Sequence, residues 1–325
     1  MKTPYWLEDD ASPWKLATCC MFDSPPHNTM NMGTTTLTMA KKNPQRAIDK
    51  AFYNAGKLIE IFKFLSLQPK HLRYFRISSE LFPCYTATEI KPYYDEVESK
   101  LYAIMKVAGE IAKTNKIRLS THPGQFTVLA SNKPDVVQRS VDDIHYHALF
   151  FKMMNIEPEH AIVNIHLQGV YNGTHADGIK RFTTNFKYLD DYAKRVLTVE
   201  NEDKPNGYDI VHVLTLANKI GIRAMFDTHH YACYRKNLDN FVVLSNPLFQ
   251  ESLQTWGKIR PAIHVSQSDN PKRILEHSQF LTDQQLADHT MKLLEYTDIE
   301  MEFKSKWTAV NKFYDYVCCR KTQLV

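Results

Sequence analysis

The stretch Leu16-Ala17-Thr18-Cys19-Cys20-Met21-Phe22-Asp23-Ser24-Pro25-Pro26-His27-Asn28 decides the architecture. Its first four residues form a short, mostly apolar run of the kind that makes a buried strand. From Cys19 to Asn28 there is no glycine. A doubly wound open sheet that binds a dinucleotide carries a glycine-rich turn after its first strand, because the backbone there must approach a pyrophosphate. The remaining way to cover a parallel sheet on both faces is to close it into a barrel.

Outward from this stretch, seven further segments rich in β-branched, aromatic or apolar residues follow, at 74–77, 117–120, 162–165, 196–199, 223–226, 263–265 and 299–301. Helix-like stretches separate most of them. Residues 44–65 begin with Pro44, which suits a first helical turn, and repeat Ala47, Ile48, Ala51, Ala55, Leu58, Ile59 and Phe62 at helical spacing. Residues 94–114, 134–154, 179–194, 209–220 and 282–296 read the same way, while 241–256 gives a weaker pattern. Strand–helix alternation predicts a parallel sheet. Eight strands over this length predict a single-domain α/β fold, the (β/α)8 or TIM barrel, with its active site on the C-terminal rim of the strands. The core is expected over about residues 16–306, with 307–325 as a helical extension, and no linker or internal repeat divides the chain.

Composition agrees with a folded, soluble protein. The 325 residues are 43% hydrophobic, which excludes disordered and low-complexity classes. Forty basic against 36 acidic side chains leave +4, compatible with a nucleic-acid partner without demanding one. Cys19, Cys20, Cys84, Cys233, Cys318 and Cys319 contain no C-x-x-C pair and are expected as reduced thiols. The first ten residues lack the apolar core of a signal peptide, and no segment approaches a membrane span. A cytoplasmic protein, monomeric and without membrane contact, is expected.

The residues at and just beyond the end of each strand carry the chemistry. The second strand runs into Arg76-Ile77-Ser78-Ser79-Glu80 and the third into Ser120-Thr121-His122-Pro123-Gly124-Gln125. The fourth ends at His166, the fifth at Glu200, and the sixth at Asp227 with His229 and His230 beyond. The seventh carries His264 and the eighth leads to Glu302. Closing the barrel would bring these positions to one rim. Imidazoles and carboxylates without thiolates suit Mn, Zn, Fe or Mg rather than a soft metal. Carboxylates crowded on one rim repel one another unless cations neutralise them, so several divalent ions are the natural solution. Taken singly, Asp227 could serve as a helix cap and Glu202 or Asp203 as solvated loop charges.

Six segments together resemble the UV damage endonuclease family. They are Phe75-Arg76-Ile77-Ser78-Ser79, Leu119-Ser120-Thr121-His122-Pro123-Gly124-Gln125-Phe126, Asn164-Ile165-His166-Leu167-Gln168-Gly169, Val199-Glu200-Asn201-Glu202-Asp203, Phe226-Asp227-Thr228-His229-His230 and Met301-Glu302-Phe303-Lys304-Ser305-Lys306. The family is a TIM barrel similar to endonuclease IV, with up to three divalent ions, usually manganese, with Zn²⁺, Mg²⁺ or Co²⁺ as substitutes. It nicks double-stranded DNA immediately 5′ to cyclobutane dimers, 6-4 photoproducts or abasic sites.

The resemblance implies that His122, His166, Glu200, Asp227, His230, His264, His277 and Glu302 are metal ligands, with Glu200, Glu302 and His230 at the reacting centre. It implies that Gln125 and Phe126 enter the duplex at the lesion. Arg76, Lys272, Arg273, Lys304 and Lys306 would contact the DNA. Three positions depart from the family pattern. Ala262 stands where members can carry a lysine near the metals, and Thr18 and Phe22 stand where an aromatic residue and an asparagine meet the lesion. Two other readings keep the barrel: a sugar-phosphate isomerase or epimerase, and a damaged-DNA-binding protein that does not cleave.

Overall fold

The computed structural model describes Tyr5, residues 14–237 and residues 244–322. Eight strands close in sequence order: β1 (Leu16–Cys19), β2 (Tyr74–Ile77), β3 (Arg118–Thr121), β4 (Val163–His166), β5 (Leu197–Glu200), β6 (Arg223–Asp227), β7 (Ala262–Val265) and β8 (Asp298–Met301). Every neighbouring pair is parallel, and β8 pairs with β1 through Leu16 and Ala17. The eight expected strands are all present, displaced by one residue at most. Of the weak stretch 241–256, residues 241–243 lie outside the described residues and Pro247–Gln254 is a helix.

The strands are less apolar than their surroundings suggest. Successive residues alternate between the outside, under the helices, and the barrel interior. Phe75, Leu119, Ile165, Val199, Phe226, Ile263 and Ile299 are buried beneath helices. The alternate positions include Tyr74, Arg118, Ser120, Asn164, Thr198, Glu200, Asp227, His264, Asp298 and Glu300, all almost wholly buried. The barrel is lined with polar groups, and each needs partners inside it.

Helix Gln45–Ser66 shows how the outer layer forms. Ala47, Ile48, Ala51, Ala55, Leu58, Phe62 and Leu65 fall on one face and are buried. Each large apolar side chain there contributes about 1.5–3 kcal/mol of burial. The expected extension after residue 306 is the eighth barrel helix, Lys306–Thr322, which packs against β1 and β8. It buries Trp307, Val310, Phe313 and Val317. The six cysteines, all among the described residues, form no disulfide.

The floor of the barrel, opposite the candidate site, is an ion cluster. Asp298 pairs with Arg118, both fully buried. It also accepts from Arg260 Nε at 2.9 Å and from the Lys15 backbone N–H at 2.7 Å. The Arg118 guanidinium donates to the Arg260 carbonyl at 2.8 Å and lies 5.2 Å from the centre of the Tyr74 ring.

Candidate metal centre

The parallel register sets the ends of β3 to β8 side by side, and the chain turns outward there. Glu200 is the hub. Its Oε2 lies 3.1 Å from His122 Nε2 and accepts from Asn164 Nδ2. Its Oε1 lies 3.1 Å from His230 Nδ1 and 3.2 Å from His264 Nδ1. His264 Nδ1 is also 3.7 Å from Asp227 Oδ2 and 3.5 Å from Glu302 Oε1. The His166 ring stands 5.0 Å from that of His122 and 5.5 Å from that of His230.

Three sets of potential ligand atoms each lie within 4.8 Å of one another: His122, His166 and Glu200; His122, His264 and Glu302; and Glu200, Asp227 and His230. Glu200 and His122 each belong to two of them. Of the residues expected in the centre, His277 sits at the margin, its Nδ1 3.9 Å from Glu302 Oε2.

Asp227 divides its two oxygens between structure and site. Oδ1 accepts from the His230 backbone N–H at 2.7 Å and caps helix Thr228–Tyr234. Oδ2 is buried with no hydrogen-bond partner among the described residues, and the same holds for Glu200 Oε1 and both ring nitrogens of His264. Orphaned buried polar atoms of this kind are rare in native proteins. A set of unsatisfied carboxylate oxygens and imidazole nitrogens facing one another is what a cluster of hard or borderline cations would complete.

Charge points the same way. Glu200, Asp227, Glu300 and Glu302 bring four carboxylates, with the Arg76 guanidinium among them. Burial opposes a charged imidazole at His230, yet Asp227 and Glu200 outweigh it and push this group up to about 10. His264 is likewise raised well above its usual range against burial, chiefly by Glu200 and Glu302. Burial, with Glu200 and Glu302 nearby, pushes the Asp227 carboxyl up to about 7. Carboxylates buried this closely call for positive charge beside them, which divalent cations can supply. The residues fit a divalent metal cluster.

Arg76, expected at the DNA, lies instead inside the barrel mouth. Its guanidinium pairs with Glu302 and sits 3.4 Å from Glu300. Glu300 was not legible as a functional residue. It accepts from the Tyr74 hydroxyl at 2.6 Å and lies 3.4 Å from His264 Nε2, on the far side of the ring from the other carboxylates. A carboxylate behind a ligating histidine fixes its tautomer and orientation. Asn201 is a second omission: its side chain exchanges two hydrogen bonds with the Asp227 backbone, at 2.9 and 3.1 Å. The period-two series Asp298-x-Glu300-x-Glu302 signalled that all three share one face of the strand.

Gln125 and Phe126 stand at the tip of the loop after β3, and Phe126 is 83% exposed. Single exposed apolar side chains are ordinary, so the exposure leaves the ring free to meet a partner without requiring one. Lys272 and Arg273 are exposed in the loop after β7. Lys304 is paired with Glu276 at 2.5 Å, and Lys306 begins the last helix. Ala262 is fully buried one register step below His264, opposite Asp298. Thr18 and Phe22 do not reach the rim surface. Thr18 is fully buried, and Phe22 packs against Phe64, Phe75 and Trp307 with ring centres 5.6, 6.2 and 5.7 Å away.

The chain is similar to several known proteins. It is 32% identical over 238 residues to a UV DNA damage endonuclease of Clostridium perfringens, a match covering 71% of this chain and 55% of that one. Thus it spans only about half the length of that relative. It is 28% identical over 302 residues to a UV DNA damage endonuclease of Bacillus cereus, covering 91% and 90% of the two chains. Among solved structures, that of SacUVDE superposes with a TM-score of 0.81 at 24% identity, over 95% of this chain and 99% of that one. Endonuclease IV from Thermus thermophilus superposes with a TM-score of 0.57 at 12% identity, over 95% and 99%. Both superpositions report the barrel fold alone. The model of the family described as UV-endonuclease UvdE matches residues 18–320. The chain is therefore a member of the UV-endonuclease UvdE family.

Proposed function

We propose that this protein is a metal-dependent DNA-repair endonuclease that nicks duplex DNA immediately 5′ to UV photoproducts and other distorting lesions. The single observation that carries this reading is the convergence of His122, His166, Glu200, Asp227, His230, His264 and Glu302, from the ends of six successive strands, on one rim. His122, His166 and Glu200 would hold one divalent ion, His122, His264 and Glu302 a second, and Glu200, Asp227 and His230 a third. His277 would stand beside Glu302 at the margin, and manganese is the metal we favour. Bound there, such ions would supply Lewis-acid polarisation of the phosphodiester and a lowered pKa for the attacking water.

The chain's own groups prepare that chemistry. Glu200 and Glu302 each present two oxygens to different neighbours, so each can span two positions. His230 Nδ1 is held by the Asn201 carbonyl at 3.0 Å, which fixes its ring within reach of Glu200. Arg76 offsets carboxylate charge at Glu302. Water would add to phosphorus as the bond to the 3′-oxygen breaks and that oxygen takes up a proton. The products would be a 3′-hydroxyl and a 5′-phosphate. Lys272, Arg273, Lys304 and Lys306 would meet phosphates beside the site. Among the described residues no helix is long and apolar enough to cross a membrane. We place the enzyme in the cytoplasm as a monomer acting on damaged DNA.

Purified protein incubated with Mn²⁺ should nick irradiated duplex in strong preference to intact duplex. Absent cleavage, or equal cleavage of both, would overturn the reading. Gln125 and Phe126 would fill the space left by the displaced lesion, the amide meeting base edges and the ring stacking. Stacking on an aromatic side chain contributes about 1–3 kcal/mol per base. Phe126→Ala should accordingly lower kcat/KM on irradiated duplex by about tenfold or more. Unchanged kcat/KM in a competition between irradiated and intact duplex would remove the ring from this role.

A further inference from the structure

The loop that carries Gln125 and Phe126 runs from His122 to Thr127, and the two ends of it meet one partly buried network. At the far end, the Thr127 hydroxyl donates to Asp143 Oδ2. Asp143 lies on helix Pro134–Met153, and its Oδ1 is 3.4 Å from His147 Nδ1, one helical turn on. His147 is almost wholly buried. Its Nδ1 also lies 2.8 Å from the Asp143 carbonyl, and its Nε2 lies 2.9 Å from Ser79 Oγ. At the near end, Ser79 Oγ lies 3.3 Å from the carbonyl oxygen of His122, one of the candidate metal ligands.

Thr127, Asp143, His147 and Ser79 thus form a continuous chain that starts and finishes on the same loop. Ser79 is itself held in place: its carbonyl accepts from the Tyr146 hydroxyl at 2.8 Å. Within the loop, the Thr127 N–H donates to the Gly124 carbonyl at 3.0 Å, closing a turn around Gln125 and Phe126. The Val128 N–H donates to Ser140 Oγ at 2.8 Å, a further tie to the same helix. Gly124, Gln125 and Phe126 are exposed, whereas Thr127 is buried.

We infer that the Thr127–Asp143–His147–Ser79 chain is a clamp that holds the wedge-bearing loop in its DNA-entering conformation and fixes its position relative to the metal centre. The physical reason is entropic. An exposed aromatic side chain on a free loop would lose conformational freedom on entering the duplex, and that loss would be subtracted from the binding energy. A loop ordered in advance by partly buried hydrogen bonds avoids most of it. One helix holds both ends, so the separation of Phe126 from His122 becomes a property of the rigid barrel rather than of the loop. These four are positioning residues and touch no reacting atom. The sites of Phe126 insertion and cleavage rest on the function proposed above, but the ordering of the loop does not.

Thr127→Val keeps the shape of the side chain and removes the hydroxyl. Asp143→Asn alters the other member of the same bond. Loss of a charge-assisted hydrogen bond should raise amide hydrogen exchange by about tenfold at Thr127 and Val128, whose N–H groups are hydrogen-bonded at this end of the loop. On irradiated duplex with Mn²⁺, KM should rise by about five- to tenfold while kcat falls by less than about twofold. Thr127→Ser restores the hydroxyl and should return both readouts to within about twofold of the parent. Exchange unchanged in both Thr127→Val and Asp143→Asn would overturn the clamp, as would failure of Thr127→Ser to restore it. If the parent protein does not nick irradiated duplex, the proposed function fails while hydrogen exchange still decides the clamp.

Discussion

Glu200→Gln should lower kcat on irradiated duplex by at least about 10³-fold, the consequence of losing several kcal/mol of charge stabilisation at the reacting centre. The substitution preserves volume and removes one negative charge from the group that touches most of the others. Oε1 faces His230 and His264 and Oε2 faces His122 and Asn164, so an amide cannot satisfy both sides as a carboxylate does. An amide also binds divalent cations more weakly and cannot bridge two of them with equal charge. The measurement is single-turnover nicking with saturating Mn²⁺, alongside circular dichroism to show that the barrel is intact. Retention of more than about a tenth of parental activity would show that Glu200 is not at the reacting centre.

The second large effect is on stability and lies at the other end of the barrel. Asp298→Ala should destabilise the fold by about 3–5 kcal/mol, because it removes the carboxylate of a fully buried ion pair that also accepts from Arg260 and the Lys15 N–H. Arg118 would keep its bond to the Arg260 carbonyl but lose the buried carboxylate of Asp298. Arg260 and the Lys15 N–H would lose an acceptor at the same time. Urea unfolding of the two proteins measures the difference directly. A change below about 1 kcal/mol would mean that the pair contributes no more than an exposed one. Replacing Arg118 and Asp298 together by apolar residues of similar volume should cost much less than Asp298→Ala alone. Nicking per folded molecule should be unaffected, since the cluster is separated from the rim by the length of the strands.

These two sites mark what was and was not readable in the chain. The strand ends were legible because each candidate ligand stands beside an apolar run, and a parallel barrel converts that repeated adjacency into one ring of side chains. The glycine-free stretch after β1 correctly separated the barrel from the open sheet. The interior was not legible, although its signal was present. Reading 299–301 as an apolar strand hides that Asp298, Glu300 and Glu302 share one face, with the floor pair at one end and the metal centre at the other. The same oversight placed Arg76 at the DNA, when its position two residues after Tyr74 puts it on the inward face with Glu300 and Glu302. Thr18 and Phe22 differ for a related reason. Pleat alternation and aromatic packing bury both, whatever stands at those places in relatives.

The clamp could not be found by sequence spacing. Ser79 and His147 are separated by 68 positions, and only closure of the barrel brings the β2 loop onto helix Pro134–Met153. Polar networks assembled from distant segments leave no periodic trace, because each member alone reads as an ordinary surface or cap residue.

The most direct test is a count of bound metal. Protein equilibrated with Mn²⁺, freed of loosely held ions by rapid buffer exchange and analysed by elemental mass spectrometry, should retain about two or more ions per chain, and Glu200→Gln clearly fewer. Retention of less than about one ion by the parent protein, or an equal count in Glu200→Gln, would contradict the claim that these strand ends jointly hold a metal cluster.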